Sequence, residues 1–200
     1  MAFPEVLAIA TRNPGKLREI RRICAEWPVR WLAPDRDPGP WPEVEETGRT
    51  YLDNALLKAR ATAAALGVPA LADDSGIEVD ALGGGPGPRS ARYAGEGATD
   101  EENLRELLRA LAGVPAGGRT ARYRCVAAVA FPEGDAVWAE GVCEGAIGAR
   151  PRGSRGFGYD PAFIPGGWDR TMAELTDGEK DRISHRGRAL RALAEQLASG

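Results

Sequence analysis

The residues most suited to chemistry in this chain occur in short polar blocks that follow or precede apolar segments. The first block consists of Thr11, Arg12, Asn13, Pro14, Gly15 and Lys16. Backbone N–H groups at a helix start lack partners and the helix dipole adds positive charge, so a lysine in such a turn suits a polyphosphate. The pattern GxxxxGK[ST] of a Walker A loop is absent. An ordinary turn between a strand and a helix is the alternative.

The second block carries two consecutive carboxylates. It consists of Asp73, Asp74, Ser75 and Gly76, directly after a short apolar segment. Consecutive side chains of an extended chain point to opposite sides, so one of the two aspartates faces a given cleft. A carboxylate there can bind Mg²⁺ or accept a proton from an attacking water. An Asx turn into the next strand is the alternative.

Three glutamates lie in a proline-rich loop upstream of these aspartates, at Glu43, Glu45 and Glu46. Their carboxylates can add oxygen ligands to a metal ion. A solvated acidic loop is the alternative for this segment.

Two later blocks combine aromatic, acidic and basic side chains. One consists of Gly156, Phe157, Gly158, Tyr159, Asp160 and Pro161. Glycines let a backbone approach a planar ligand while an aromatic ring stacks on it, although a tight turn with core aromatics is equally expected. The other block has Lys180 and the only histidine, His185, beside Arg186 at a helix start. These donors can bind a carbonyl or a phosphate, and an exposed histidine is the alternative.

The segments that position these blocks alternate between strand and helix patterns. Strands are predicted over 6–10, 29–33, 122–131 and 136–143, the last two as a hairpin around 132–135, and helices over 17–27, 50–66, 99–111 and from 184 onward. Thr50 with Asp53 and Thr99 with Glu102 form capping-box patterns. The order predicts an α/β fold with a mixed sheet, parallel early and antiparallel in the middle.

Composition excludes several classes of protein. The net charge of −3, from 26 basic and 29 acidic residues, argues against nucleic-acid binding through global charge. A single histidine excludes a His-rich zinc site, and three dispersed cysteines support neither a disulfide framework nor a CxxC metal site. No signal peptide or run of roughly 20 apolar residues is present, so we expect a cytoplasmic protein without membrane contact.

Taken together and in order, seven blocks resemble the inosine triphosphate pyrophosphatase family, which hydrolyses non-standard purine nucleoside triphosphates. The blocks span residues 11–16, 45–48, 54–60, 72–76, 90–93, 156–161 and 184–186. The resemblance implies an elongated mixed α/β fold with a long central sheet and two lobes around a deep nucleotide-binding cleft, here as a single domain of 1–200. It also implies a homodimer that uses Mg²⁺ and converts ITP, dITP and XTP to the monophosphate and pyrophosphate, which removes deaminated purines from the nucleotide pool.

The resemblance further implies roles for individual residues. It implies that segment 11–16 holds the triphosphate, with Lys16 as its cation, and that Ser75 contacts substrate. It also implies that Asp74 is the general base and a metal ligand. Glu45 is implied as a second metal ligand, with Glu46 as the alternative. The base-binding side consists of Phe157, Gly158, Tyr159, Asp160, Lys180, His185 and Arg186. Donors of Arg186 or Lys180 that face the purine 6-position would reject adenine, whose amino group is itself a donor.

One departure and two alternatives accompany this assignment. Many relatives have glycine at the position of Arg12, so this residue is strained if the backbone there requires a positive φ.

A related pyrophosphatase that prefers modified pyrimidines is the first alternative function, and residues 184–186 argue against it. A catalytically silent nucleotide- or RNA-binding module is the second, and the joint presence of Lys16, Glu45 and Asp74 argues against it.

Overall fold

A single six-stranded sheet with flanking helices organises the chain in a computed structural model that describes residues 2–199. The strands are β1 (Val6–Ile9), β2 (Arg30–Leu32), β3 (Ala70–Val79), β4 (Thr120–Ala130), β5 (Ala136–Ile147) and β6 (Phe163–Pro165). The helices are α1 (Pro14–Ile23), α2 (Tyr51–Leu66), α3 (Asp100–Ala110), α4 (Asp177–Ile183) and α5 (His185–Ala198). The strand order is β2-β1-β3-β4-β5-β6, with β1 parallel to β2 and β3, and β5 antiparallel to β6. The predicted mixed α/β fold is confirmed.

Helix α1 begins and ends earlier than the sequence predicts, at Pro14 and Ile23. The Asn13 side chain accepts a hydrogen bond from the Lys16 N–H at 3.0 Å, and Pro14 occupies the first turn, where its missing N–H costs nothing. The helix ends at Ile23 rather than at Trp27, because the Trp27 N–H bonds to the Cys24 carbonyl in a turn.

Helix α2 shows both of its predicted end signals. Thr50 Oγ1 accepts the Asp53 N–H while the Asp53 carboxylate accepts the Thr50 N–H, which completes a capping box. Gly67 ends the helix in the left-handed region with φ of 66°, a conformation that glycine adopts without steric cost. The helix therefore has fixed ends, which define the positions of the side chains along it.

Strand β3 shows that the Asx turn considered as an alternative for residues 73–76 is wrong. The turn does not form, because β3 runs without interruption from Ala70 to Val79. The two aspartates are thus consecutive residues of a buried strand, and their side chains are directed to opposite faces of the sheet.

Two elements were not predicted from sequence. Helix α4 has the mostly charged sequence DGEKDRI, which lacks apolar periodicity, and it begins with a capping box between Thr176 and Glu179. Strand β6 is three residues long and pairs with the end of β5, which extends to Ile147 beyond the predicted hairpin. Short elements of this kind depend on their neighbours more than on their own pattern.

The chain divides into two compact units. Unit 1 consists of Met1–Asp74, Cys125–Gly141 and Arg186–Gly200, and unit 2 of Ser75–Arg124 and Val142–His185. The core of unit 1 includes Leu7, Ile9, Ile20, Leu71 and Leu190, and that of unit 2 includes Ile77, Leu107, Leu111, Phe163 and Met172. Among the described residues, no helix is long and apolar enough to cross a membrane.

We predict that Thr50→Ala lowers the free energy of unfolding by about 1 kcal/mol, because it removes the side-chain oxygen that caps α2. Urea unfolding of the variant and the original protein measures the difference. Thr50→Ser is the matched control, since it keeps the hydroxyl and should retain most of the stability. An equal loss in both variants would contradict a capping role for this hydroxyl.

Candidate active site

The polar turn between β1 and α1 places a lysine against the first of the two aspartates, within unit 1. Thr11 Oγ1 accepts the Asn13 N–H at 3.2 Å, which tightens the turn before the helix. Lys16 Nζ lies 3.3 Å from the Asp73 carbonyl and 3.2 Å from Asp73 Oδ2. Because the side chain of Lys16 remains partly accessible, its charge is available to an anion at this helix start.

Arg12 is not strained in this turn. No residue other than glycine among positions 2–199 has a positive φ, so the position does not require glycine. The Arg12 guanidinium donates to the Trp41 carbonyl at 3.1 Å, so the side chain links the turn to the proline-rich loop.

Asp73 is buried in an ion-pair network. Its Oδ2 accepts hydrogen bonds from Arg186 Nη2 at 2.8 Å and Nε at 3.2 Å, and Arg186 Nη1 pairs with Glu19 of α1. Burial alone would raise the pKa of Asp73, but the charges of Arg186 and Lys16 hold it well below its ordinary value. Asp73 is therefore an ionised structural group that holds Lys16.

Asp74 lies in a separate network on the next residue of the strand. Asn54 Nδ2 donates to Asp74 Oδ2 at 3.1 Å, and Lys58 Nζ donates to Asp74 Oδ1 at 3.1 Å and to Glu46 Oε1 at 2.6 Å. Asn54 and Lys58 are four residues apart on α2, which places them on one face of the helix. The helix thus holds both carboxylate oxygens of Asp74.

The environment of Asp74 suits a proton acceptor. Burial raises the pKa of Asp74 above its ordinary value, while the nearby Lys58 and Lys16 charges oppose that shift. A carboxylate with a raised pKa is a stronger base than an exposed aspartate. The two consecutive aspartates therefore have pKa values shifted in opposite directions although they are the same residue type.

A glycine permits the close approach that completes this network. The Gly48 N–H donates to Asn54 Oδ1 at 2.8 Å. A Cβ atom at Gly48 would lie 2.5 Å from Asn54 Oδ1 and 2.6 Å from Asp53 Cβ, closer than side chains tolerate. The absence of a side chain at this position thus allows the loop to orient the amide that contacts Asp74.

The carboxylates of this network fit a divalent cation. The Glu46 and Asp74 oxygens converge on one ammonium group, that of Lys58, whereas Glu45 is exposed. No cluster of three potential ligands from His, Cys, Asp or Glu occurs among residues 2–199. Two carboxylates are a sufficient protein contribution for a hard cation whose other ligands are waters or substrate oxygens. A role for Glu45 stays a prediction.

Unit 2 holds the aromatic block in a network of its own. The Phe157 N–H donates to Asp160 Oδ2 at 2.9 Å, and Lys180 forms a buried ion pair with the same carboxylate. Lys180 Nζ also lies 5.1 Å from the centroid of the Phe157 ring. The Tyr159 hydroxyl donates to the Ser90 carbonyl at 2.6 Å. The structure thus brings Phe157, Asp160 and Lys180 together, and their role in base binding stays a prediction.

His185 is buried rather than exposed. Its ring stacks on that of Tyr123 with centroids 4.5 Å apart and an interplanar angle of 8°. The histidine is the first residue of α5, as predicted, and it is 5% exposed. The exposed alternative is therefore wrong. Ser75 follows Asp74 on β3 in a half-buried position.

The structure corrects the placement expected for Arg186. The sequence assigned it to base recognition, yet its guanidinium is 1% exposed and bonds to Asp73 and Glu19 in unit 1. Five donors in a fixed planar fork suit two carboxylates, and the charges of Asp73 and Glu19 hold its pKa well above the ordinary value despite burial. Its observed contacts are those of an internal counter-ion.

Three participants were not assigned as site residues from the sequence: Glu19, Asn54 and Lys58, each of which is at least largely buried. Asp73 was named only as one of two candidate aspartates. Buried polar residues require partners, so a polar residue within a predicted apolar stripe was the available signal for Asn54.

Comparison with known proteins shows the family of this chain. The model of the Ham1 family matches residues 7–196. The chain belongs to this family. A dITP/XTP pyrophosphatase of Anaeromyxobacter sp. is 48% identical, with 96% of this chain and 97% of the relative covered, and one of Syntrophobacter fumaroxidans is 51% identical, with 96% and 82% covered. The structure of a HAM1 protein from Coxiella burnetii superimposes with a TM-score of 0.86 at 39% identity, covering 98% of this chain and 100% of that one.

We predict that Arg186→Met lowers the free energy of unfolding by about 3–5 kcal/mol, because it removes the guanidinium that pairs with both buried carboxylates, Asp73 and Glu19. Arg188→Met is the matched control, since it makes the same change at an exposed position of α5. Thermal and urea unfolding compare the two variants. Equal, small losses would show that the buried ion pairs contribute little.

Proposed function

We propose that this protein hydrolyses non-standard purine nucleoside triphosphates, namely ITP, dITP and XTP, to the nucleoside monophosphate and pyrophosphate. The observation that carries this proposal is the buried Asp74, whose two oxygens are held by Asn54 and Lys58 and whose pKa is raised by burial. Its family membership and its pyrophosphatase relatives support the same activity. Removal of deaminated purines from the nucleotide pool is the corresponding cellular role.

In the proposed reaction, Asp74 accepts the proton of a water that attacks the α-phosphorus. The bond between that phosphorus and the oxygen bridging to the β-phosphate then breaks, and pyrophosphate leaves with the electron pair. Lys58 and Asn54 keep the Asp74 carboxylate oriented, and Lys16 with the N–H groups at the start of α1 compensates the negative phosphate oxygens. The contacts of segment 11–16 and Ser75 with the triphosphate are part of this proposal.

We propose Mg²⁺ as the cation, with Asp74 and Glu46 as its protein ligands and Glu45 as the alternative to Glu46. Bound there, it would neutralise phosphate charge and make pyrophosphate a better leaving group. Glu46 is favoured because its carboxylate and that of Asp74 both contact the Lys58 ammonium, so the two carboxylates lie close to each other.

Base selection is proposed for the aromatic block of unit 2. Phe157, which is half-buried, offers a ring face, and Gly158 allows the backbone to approach a planar base, while the buried Tyr159 holds the loop through its bond to the Ser90 carbonyl. Lys180, held by Asp160, is a donor without acceptor capacity, which favours the 6-oxygen of hypoxanthine and xanthine over the 6-amino group of adenine. His185, at the start of α5, is proposed to belong to the same base-binding side as Lys180.

We further propose that the enzyme is a single nucleotide-hydrolysing domain of 1–200 that acts as a homodimer in the cytoplasm, without nucleic-acid or membrane partners. The buried free thiols of Cys24, Cys125 and Cys143 support a reducing compartment. Size-exclusion chromatography with light scattering tests the dimer directly.

The proposed activity predicts a selective substrate panel. With Mg²⁺, we expect pyrophosphate release from ITP, dITP and XTP to exceed that from ATP and from modified pyrimidine triphosphates by at least roughly a hundredfold in kcat/KM. Asp74→Asn should lower kcat by about 10²–10⁴ while triphosphate binding survives, because the amide keeps the shape and loses the proton acceptor. Equal activity on ATP, a preference for modified pyrimidines or near-normal kcat in the variant would contradict the proposal.

The two neighbouring glutamates provide a matched test of the metal site. We predict that Glu46→Gln raises the Mg²⁺ concentration required for half-maximal activity by roughly tenfold or more, since one charged ligand is lost. Glu45→Gln, an identical change one residue away, should leave that concentration unchanged. Titration of activity with Mg²⁺ decides between the two glutamates. If Glu45→Gln raised the required Mg²⁺ concentration and Glu46→Gln did not, Glu45 would be the ligand.

A further inference from the structure

The first turn of α3 contacts the aromatic block of unit 2 through a side chain that the helix itself does not need. Asp100 Oδ2 accepts the Gly158 N–H at 2.8 Å, across 58 positions of sequence. The helix is already capped by Thr99 and Glu102, whose side chains bond reciprocally to each other's backbone N–H groups. Asp100 is therefore available for the loop rather than for the helix end.

This bond holds the amide of a glycine that has few side-chain neighbours. Gly158 has a φ of 59°, in the left-handed region, and a Cβ atom there would meet no atom within 4 Å beyond its chain neighbours. Hydrogen bonds therefore contribute to the orientation of this residue. The preceding N–H, that of Phe157, is held by Asp160. Two consecutive amides are thus each fixed by a carboxylate.

The same helix face holds a second loop of unit 2. Asn103 is 2% exposed; its Oδ1 accepts the Ala94 N–H at 2.8 Å and its Nδ2 donates to the Ala91 carbonyl at 3.0 Å. The two loops are joined to each other as well, because the Tyr159 hydroxyl donates to the Ser90 carbonyl. The start of α3 is consequently a common anchor for residues 90–94 and 157–160.

We propose that Asp100 is a positioning residue for substrate selectivity, which sets the orientation of the Phe157 ring relative to Lys180 by holding the Gly158 amide. This inference rests on the proposed function, because it assumes that the aromatic block binds the base. Asp100 acts through the loop of residues 157–160 and not through Asp74, the proposed proton acceptor. Its loss should therefore affect recognition of the base and leave the bond-breaking step intact.

Three variants test the role: Asp100→Ala, which removes the acceptor; Asp100→Asn, which keeps an acceptor oxygen without the charge; and Glu101→Ala, which removes the neighbouring carboxylate of the same helix turn. Hydrogen–deuterium exchange of peptides covering residues 156–160 reports on the Gly158 amide independently of any substrate. Steady-state kinetics with ITP and ATP report on recognition.

For Asp100→Ala we expect faster exchange at the Gly158 amide, a roughly tenfold rise in KM for ITP with kcat within about twofold, and a reduced preference for ITP over ATP. Asp100→Asn should restore most of the KM, and Glu101→Ala should match the original protein in exchange and kinetics. These results together would support the assignment.

Unchanged exchange at Gly158 in Asp100→Ala, or the same KM change in Glu101→Ala, would overturn it. Faster exchange with unaltered KM and selectivity would also overturn it, since the bond would then be only structural. If the original protein hydrolyses no purine triphosphate, the proposed function fails by that measurement, while the exchange data still decide whether Asp100 holds the loop.

Discussion

The burial of two adjacent carboxylates on one strand is the constraint on which unit 1 depends. Asp73 and Asp74 lie side by side on β3, at 1% and 4% exposure. An uncompensated buried carboxylate costs several kcal/mol, so each aspartate needs its own counter-charge. Asp73 obtains it from Arg186 at the start of α5 and Lys16 of α1, and Asp74 from Lys58 of α2. Three helices are thereby attached to a single strand by charge.

Because neighbouring strand residues are directed to opposite faces, the two carboxylates acquire different chemistry. Arg186 and Lys16 hold the pKa of Asp73 below its ordinary value, which makes it a permanent anion suited to holding a cation in place. Burial raises the pKa of Asp74, which suits it to accept a proton. Paired carboxylates whose environments move their pKa values apart are a recurrent basis for dividing structural and catalytic roles.

In unit 2, hydrogen bonds from backbone amides to carboxylates hold the loop that carries Phe157, beside the buried ion pair of Lys180 and Asp160. The loop that carries Phe157 has consecutive N–H groups held by Asp160 and Asp100, and its tyrosine is bonded to the Ser90 carbonyl. Such contacts fix the direction of a loop more than they add charge, which suits discrimination between planar bases. Buried ion pairs thus occur at the group proposed for phosphate chemistry and at the group proposed for base recognition.

The sequence by itself determined the mixed α/β class, the caps of α2 and α3 and the order of polar blocks that indicates the family. The reason is that hydrophobic periodicity and capping are local properties of a few consecutive residues. It also placed Asp74 and Lys16 as candidates. Only the tertiary structure decided that β3 continues through the two aspartates, that Glu46 rather than Glu45 meets Lys58, and that Arg186 pairs with Asp73 from 113 residues away. Side-chain partners of this kind come from separate helices and strands, and no local pattern specifies which buried charge will meet which until the sheet and its helices have packed.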